Sequence, residues 1–353
     1  MHIPPPATIH SRPRPIRDVA AALDPGLRRD DGREPSVNRP RCQALPGGRS
    51  HFQHGPIDCV IAAEGAPSAV TAALASAWQR FQGVLAELVS ELPPLRSDVA
   101  LLQDAELAVQ GAVARRMVRA CQPYAAQGHF ITAMAAVAGS VAQELIAHFD
   151  HPRIRRAYVN NGGDIALHLG AGESYDVGLV IDPQRGSAAL DGQFRVHAGS
   201  GVRGIATSGW RGRSLSLGIA DSVTVLAATA AQADAAATMI ANAVNVDDAA
   251  VSRLPANQVR DDSDLGDRLV TVGVASLSTA QVARALDAGA ACAGREIAAG
   301  RVQAAWLCLQ GQARRCDAPL AQHADMLRPG PILQACAAPQ VLRLAPLLAA
   351  SGA

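Results

Sequence analysis

Aromatic residues are scarce: Phe, Trp and Tyr make up 3% of the 353 residues, against 49% hydrophobic residues overall. A core in such a chain must be built from Ala, Val, Leu and Ile, and the length suffices for one large domain or two. An excess of either charge is also lacking. The net charge is +1, so no electrostatic pull toward nucleic acid or an acidic membrane is expected. The seven cysteines, at 42, 59, 121, 292, 308, 316 and 336, are odd in number and form no CxxC pair. That pattern argues against a disulfide framework or a zinc site and for a reducing, cytoplasmic setting. Long apolar runs are missing. The most apolar stretch, Ile131 to Phe149, is interrupted by Ser140, Gln143, Glu144 and His148. A spanning helix needs ~20 nearly uninterrupted apolar residues, so this one reads as buried. The start of the chain lacks the basic, apolar and small-residue succession of a signal peptide. Neither a Walker A lysine loop nor a GxSxG elbow occurs.

What is present divides into three parts. Residues 1–45, with Pro4-Pro5-Pro6 and Arg28-Arg29-Asp30-Asp31-Gly32, are predicted to be a disordered tail, because their composition cannot bury apolar surface. Residues 46–337 are predicted to form one α+β domain, with 338–353 as a C-terminal tail. His51-Phe52 and Cys59-Val60-Ile61 flank His54-Gly55-Pro56 as a hairpin. After Pro67-Ser68, the residues Val70, Leu74, Trp78, Phe81, Leu85 and Leu88 recur at helical spacing until Pro93-Pro94. A basic helix over 112–121 and a small-residue helix over 132–149 follow. Strands are then predicted at 157–160, 164–169, 176–181, 202–207 and 222–227, and a helix at 230–244. Strand, helix and strand are expected at 269–274, 280–297 and 302–309. Helices and strands come partly in blocks, which favours α+β, with mixed or antiparallel sheets packed on helices, over a doubly wound sheet.

Four segments could carry chemistry. Asn160-Asn161-Gly162-Gly163-Asp164 lies between two strands; its glycines let backbone approach a ligand, and Asn161 could bond a sugar or base edge. Read alone, it favours a tight turn over a ligand loop. Thr207 and Ser208, followed by Gly209, could meet phosphate oxygens or bond their own turn. Asp234 and Thr238 stand at i and i+4 on one helix face, with Asn242 a turn beyond. A carboxylate and a hydroxyl so placed suit Mg²⁺ shared with phosphates; the plainer reading is an exposed polar face. The Ala135–Gln143 segment is either a wall beneath a flat ligand or a close helix contact. His51 and His54 read as structural, Arg211 and Arg213 as phosphate-binding or solvated, and Asp261, Asp262, Asp264 and Asp267 as a solvated connector.

Taken in order, Asn160-Asn161-Gly162-Gly163-Asp164-Ile165, Ala206-Thr207-Ser208-Gly209, and Ser222-Val223-Thr224-Val225 followed by Asp234 and Thr238 resemble the ApbE-like superfamily. Its best-known members are FAD:protein FMN transferases. The resemblance runs from about His51 to Ala250 and implies an ApbE-like α+β fold that binds FAD and Mg²⁺. Such a protein moves FMN onto a Thr or Ser of an acceptor protein and releases AMP. It implies Asp234 and Thr238 as metal ligands, with backbone oxygen near Val137–Gly139. It further implies Asn161, Gly162, Gly163 and Asp164 against the flavin nucleotide, with Thr207, Ser208 and Gly209 near its phosphates. The partners implied are a flavin nucleotide, an acceptor protein and, as one option, a second copy in a homo-oligomer. Two departures stand out. The transferases' His-bearing segment with Asp-Pro-x-Thr-Gly is replaced by Trp210–Asp221, which has no His, and the Lys-Gly…Asp pattern of the earlier helix is replaced by Ala138-Gly139 and Gln143. The alternative function is therefore a non-catalytic flavin or nucleotide-binding protein serving cofactor biosynthesis or delivery.

Overall fold

The computed structural model describes residues 39–102, 108–179, 192–318 and 327–329. Strands β1 (Arg41–Leu45), β2 (Arg49–His54) and β3 (Ile57–Gly65) form an antiparallel ladder in which Phe52 faces Cys42 on one side and Cys59 on the other. The expected hairpin is thus present. Arg41–Leu45, expected in the tail, instead bond to β2 as the sheet's edge, while residues 1–38 and the expected C-terminal tail, 338–353, lie outside the described residues. His51 Nε2 meets Asp58 Oδ1 across the hairpin at 2.9 Å, a structural role.

Helix α1 (Pro67–Ser90) starts with Pro in its first turn, where a missing N–H costs nothing. Its buried residues Leu74, Ala77, Trp78, Phe81, Val84 and Leu88 fall on one stripe. Three of the aromatics gather there: Phe52 lies 5.0 Å from Trp78 and 5.4 Å from Phe81, ring centre to ring centre. Helices α2 (Ala112–Ala125) and α3 (Val137–Ile146) follow, α3 flanked by 3₁₀ turns at Ala133–Ala136 and Ala147–Phe149. Glu144 on α3 accepts from Arg80 of α1 at 2.6 Å and from Arg116 of α2 at 2.9 Å, tying three helices together. Burial raises the Glu144 carboxyl, but the two guanidiniums outweigh it and hold the group below the usual range.

The chain then becomes mostly strands: β4 (Ile154–Asn161), β5 (Asp164–Leu169), β6 (Ser174–Leu179), β7 (Gly192–His197), β8 (Gly204–Ser208) and β9 (Ser222–Ala227). Helix α4 (Ala230–Ala243) precedes β10 (Val251–Pro255) and β11 (Leu269–Val274); helix α5 (Thr279–Ala298) precedes β12 (Ala304–Leu309) and β13 (Gln312–Asp317), and Leu327–Pro329 is strand β14. A capping box of Ser278 and Gln281 starts α5.

Nine strands form one sheet in the order β1-β2-β3-β4-β5-β8-β9-β12-β13. Every strand pairing among the described residues is antiparallel. Alternation along the central strands splits two cores. Ala166, Ala206, Val225 and Leu307 point into the main core beneath the helices. Their neighbours Leu167, Ile205, Leu226 and Trp306 point the other way, onto Phe194 and Val196 of β7. The small sheet β14-β7-β6 therefore covers the back of the large one. The expected β11–α5–β12 unit is not a single-sheet crossover, since β11 pairs only with β10 and β12 inserts between β9 and β13. The expected α+β class holds. Among the described residues, no helix is long and apolar enough to cross a membrane, and six cysteines are free.

Candidate functional site

The β4–β5 turn, the end of β8 and the β8–β9 loop come together at one end of the sheet. Asn160-Asn161-Gly162-Gly163 makes the turn, with Gly162 at φ +65° and Gly163 at φ +114°. Asn160 Oδ1 accepts from the Gly163 amide at 2.8 Å, so that amide serves the turn. An added Cβ on Gly163 would touch nothing within 4 Å, which leaves open space above it. Asn161 is buried and bonded at both ends of its amide: its Nδ2 donates to the Ala138 carbonyl at 3.1 Å, and its Oδ1 accepts from the Asp58 amide at 3.3 Å. Its side chain therefore pins the start of α3 to the sheet, with one Nδ2 N–H committed to the Ala138 carbonyl.

Asp164 opens β5 beside β8, where its Oδ1 accepts from the Thr207 amide at 3.3 Å. Thr207 Oγ1 pairs with Thr224 Oγ1 at 2.9 Å across the β8–β9 ladder. Ser208 is half-buried at the strand's end, and Gly209 backs onto the Asp221 and Ala220 carbonyls, where a Cβ would lie 2.5 and 3.0 Å away.

Helix α4 is not the exposed face of the plainer reading. Its alanines at 230, 231, 233, 235, 236 and 237 are buried, as are Met239 and Ile240, and Asp234 and Thr238 are only half-exposed. Helix α3 closes on it so tightly that a Cβ at Gly139 would lie 2.3 Å from the Ala230 carbonyl oxygen. The small-residue segment is thus a helix–helix contact. Its backbone also reaches Asp234, whose Oδ2 accepts from the Gly139 amide at 2.8 Å. Asn242 drops out of the expected polar row: its Oδ1 takes the Leu217 amide at 3.0 Å and the Ser216 hydroxyl at 3.3 Å.

Asp164 and Asp234, from two distant stretches of sequence, act on each other. Burial pushes the Asp164 carboxyl up to about 7, against the Thr207 amide and the Arg213 guanidinium, which favour its charge. Burial also lifts Asp234 well above the usual range, Asp164 adds to the rise, and the Gly139 and Ala138 amides oppose it. Neither acid has a basic ion-pair partner among the described residues. Two interacting carboxylates raised by burial, with only the Arg213 charge acting on Asp164, are expensive, and a hard dication would relieve both at once. Thr238, one turn beyond Asp234, adds a neutral oxygen. The set fits Mg²⁺, which binds through one or two carboxylates and takes its remaining ligands from water and phosphates. No three His, Cys, Asp or Glu side chains converge among the described residues, so an all-protein cage is not available.

Two side-chain groups that sequence reasoning left undecided are fixed by the structure. Arg211 lies over the Trp210 ring at 5.1 Å and beside Asp221 Oδ1 at 3.5 Å. Arg213 reaches back over Gly162. The Asp261–Asp267 loop, expected to be a solvated connector, is tied down: Asp262 meets Arg96, Asp264 accepts from the buried Thr132 hydroxyl, and Asp267 accepts from Asn257. Sequence reasoning missed the Asp164–Asp234 pairing and the Asn161 clamp, for which no local spacing gives a signal. Thr224 could have been found, because its alternation in Ser-Val-Thr-Val faces it toward Thr207.

An α+β scaffold with a carboxylate pair beside a diglycine turn defines the class. The family described as AbpE bacteria matches residues 42–315, and the chain belongs to that family, as the ApbE-like motifs implied. A UPF0280 protein of Methanothermobacter thermautotrophicus is 44% identical over 115 residues, 32% of this chain and 42% of that protein. Another, from Methanopyrus kandleri, is 41% identical over 144 residues, 40% of this chain and 54% of its own. The chain thus spans about half the length of the curated relatives it matches. Among solved structures, the apo flavinyl transferase ApbE of Pseudomonas stutzeri is 13% identical, covering 80% of this chain and 96% of that chain with a TM-score of 0.34. The ApbE protein of Thermotoga maritima gives 14% identity and a TM-score of 0.30, over 68% and 97%. At these values neither structure bears on the site.

Proposed function

We propose that this ApbE-like protein binds a flavin nucleotide, FAD, together with Mg²⁺, and that its activity is transfer of FMN to a Thr or Ser of an acceptor protein. The observation that carries the reading is the pair of interacting carboxylates raised by burial, Asp164 and Asp234, neither ion-paired among the described residues, next to an open diglycine turn. Asp234, Asp164 and Thr238 would hold the cation. When bound, it would neutralise charge on the pyrophosphate during attack by an acceptor hydroxyl. The chain's own part is to fix these oxygens. The Gly139 amide orients Asp234, the Thr207 amide orients Asp164, and Asn161 keeps the α3 start against both. Gly163 leaves room for the ligand.

A second reading, nucleotide binding for cofactor delivery without transfer, is favoured by one observation: Trp210–Asp221, the whole β8–β9 loop beyond Gly209, contains no His. FAD titration tests the common part. With Mg²⁺ present, flavin fluorescence should be quenched with micromolar or tighter affinity, on the order of 8 kcal/mol, and a chelator should weaken binding. Unquenched fluorescence, with no thermal shift from FAD, FMN or adenine nucleotides, overturns it. Release of AMP on adding acceptor protein separates transfer from delivery.

A further inference from the structure

The β8–β9 loop carries one side chain whose position the carboxylate site does not explain. A Cβ built on Gly162 would lie 2.0 Å from Arg213 Nη2. The guanidinium therefore fills the space that any side chain at 162 would need, and it rests on the turn joining Asn161 to Asp164. The loop backbone is tethered there, since Arg260 Nη2 donates to the Arg213 carbonyl at 3.0 Å. Arg213 itself is exposed, and its charge reaches Asp164. Its neighbour Arg211 is occupied differently, between the Trp210 ring and Asp221.

Charge balance gives this placement a meaning. Two carboxylates cancel the charge of a divalent cation, so the phosphates of a nucleotide would still lack a counter-charge. The chain contains no lysine, and all 32 of its basic residues are arginine. Arg213 is the guanidinium positioned over the turn beside those carboxylates. A planar fork offers two parallel N–H donors, which a pair of oxygens on linked phosphates can accept together. We propose that Arg213 grips the pyrophosphate of the bound nucleotide across the Gly162 turn and selects diphosphate-bridged ligands over monophosphates. The proposal rests on the nucleotide-binding reading above and names the residue that reads the phosphates.

Calorimetry on the full chain with Mg²⁺, using FAD, ADP, FMN and inorganic pyrophosphate as separate probes, tests it. Arg213→Gln should weaken FAD, ADP and pyrophosphate by roughly tenfold to a hundredfold, the loss of a charge-assisted pair, and leave FMN little changed. Arg213→Lys should fall between wild type and Arg213→Gln, because the charge stays and the fork is lost. Melting temperature should not move, since the side chain is exposed. Wild-type affinity for pyrophosphate in Arg213→Gln, or an equal loss on FMN, overturns the proposal. Wild-type protein that binds pyrophosphate but not FAD refutes the flavin reading alone, and the pyrophosphate arm still decides on Arg213. Protein that binds neither overturns both.

Discussion

Asp234 is held by backbone amides of α3 and faced by Asp164, so its charge is costly without a cation beside it. Asp234→Asn keeps the shape and an oxygen for the Gly139 amide. It should abolish the Mg²⁺-dependent part of nucleotide binding while the melting temperature holds or rises, because an uncompensated carboxylate has gone. Thr238→Val removes one neutral ligand and should weaken the same dependence more mildly. Equal nucleotide affinity with Mg²⁺ and with chelator, in wild type and both variants, would show this helix face to be inert. At this scale the sequence exposed Asp234 and Thr238 through their i, i+4 spacing. It could not expose Asp164 as their partner, because the two acids meet only through the sheet. The Asn161 clamp was hidden for a related reason: an amide suited to a sugar is equally suited to a backbone carbonyl, and the approach of Ala138 is a tertiary event.

At the scale of elements, the helices are locked by one acid. Glu144 holds α1 through Arg80 and α2 through Arg116, and it does so with a depressed pKa. A depressed carboxyl contributes stability above its unfolded pKa of about 4.3 and loses it as pH falls through the lower folded value. Glu144→Gln should therefore cost about 1–2 kcal/mol at neutral pH, and urea melts of variant and wild type should converge under strongly acidic conditions. Gly139→Ala is the sharper change, because the new methyl meets the Ala230 carbonyl. Overpacking of about 1–3 kcal/mol is expected, with loss of Mg²⁺ dependence as Asp234 is pushed off its amide. The strongly patterned elements were legible: β5, β9 and β11 have the residue ranges predicted for them, and α1 and α4 lie where their apolar spacing put them. The polar edge strands β1, β10 and β13 were not, because Arg41–Leu45, Val251–Pro255 and Gln312–Asp317 lack the clear alternation of a half-buried strand. Their pairing comes from a neighbour's unmet backbone groups.

For the whole molecule, composition announced a core of Ala, Val, Leu and Ile, and those residues make up most of both cores, with the Phe52–Trp78–Phe81 cluster in one and the Phe194–Trp306 stack in the other. The boundary of the tail was less legible, and β1 makes it testable. Deleting residues 1–38 should leave the melting temperature nearly unchanged, as their composition implies. Deleting through residue 46 removes the edge strand paired with β2 and should lower it measurably and promote association through the newly bared edge. The strand order has one more consequence, and it concerns time. Four of the eight neighbouring strand pairs are joined by tight turns, but β9 finds β12 only after α4, β10, β11 and α5, and β3 finds β4 only after α1, α2 and α3. The Asp58 amide and Asn161 that meet there are 103 residues apart. Contacts this remote form late on the way to the native state, so the turn that Asn161 anchors is among the regions that order late. A ligand that fastens this region should leave the refolding rate nearly unchanged and lengthen the native lifetime. In stopped-flow chevrons, Mg²⁺ with nucleotide should lower the unfolding limb alone.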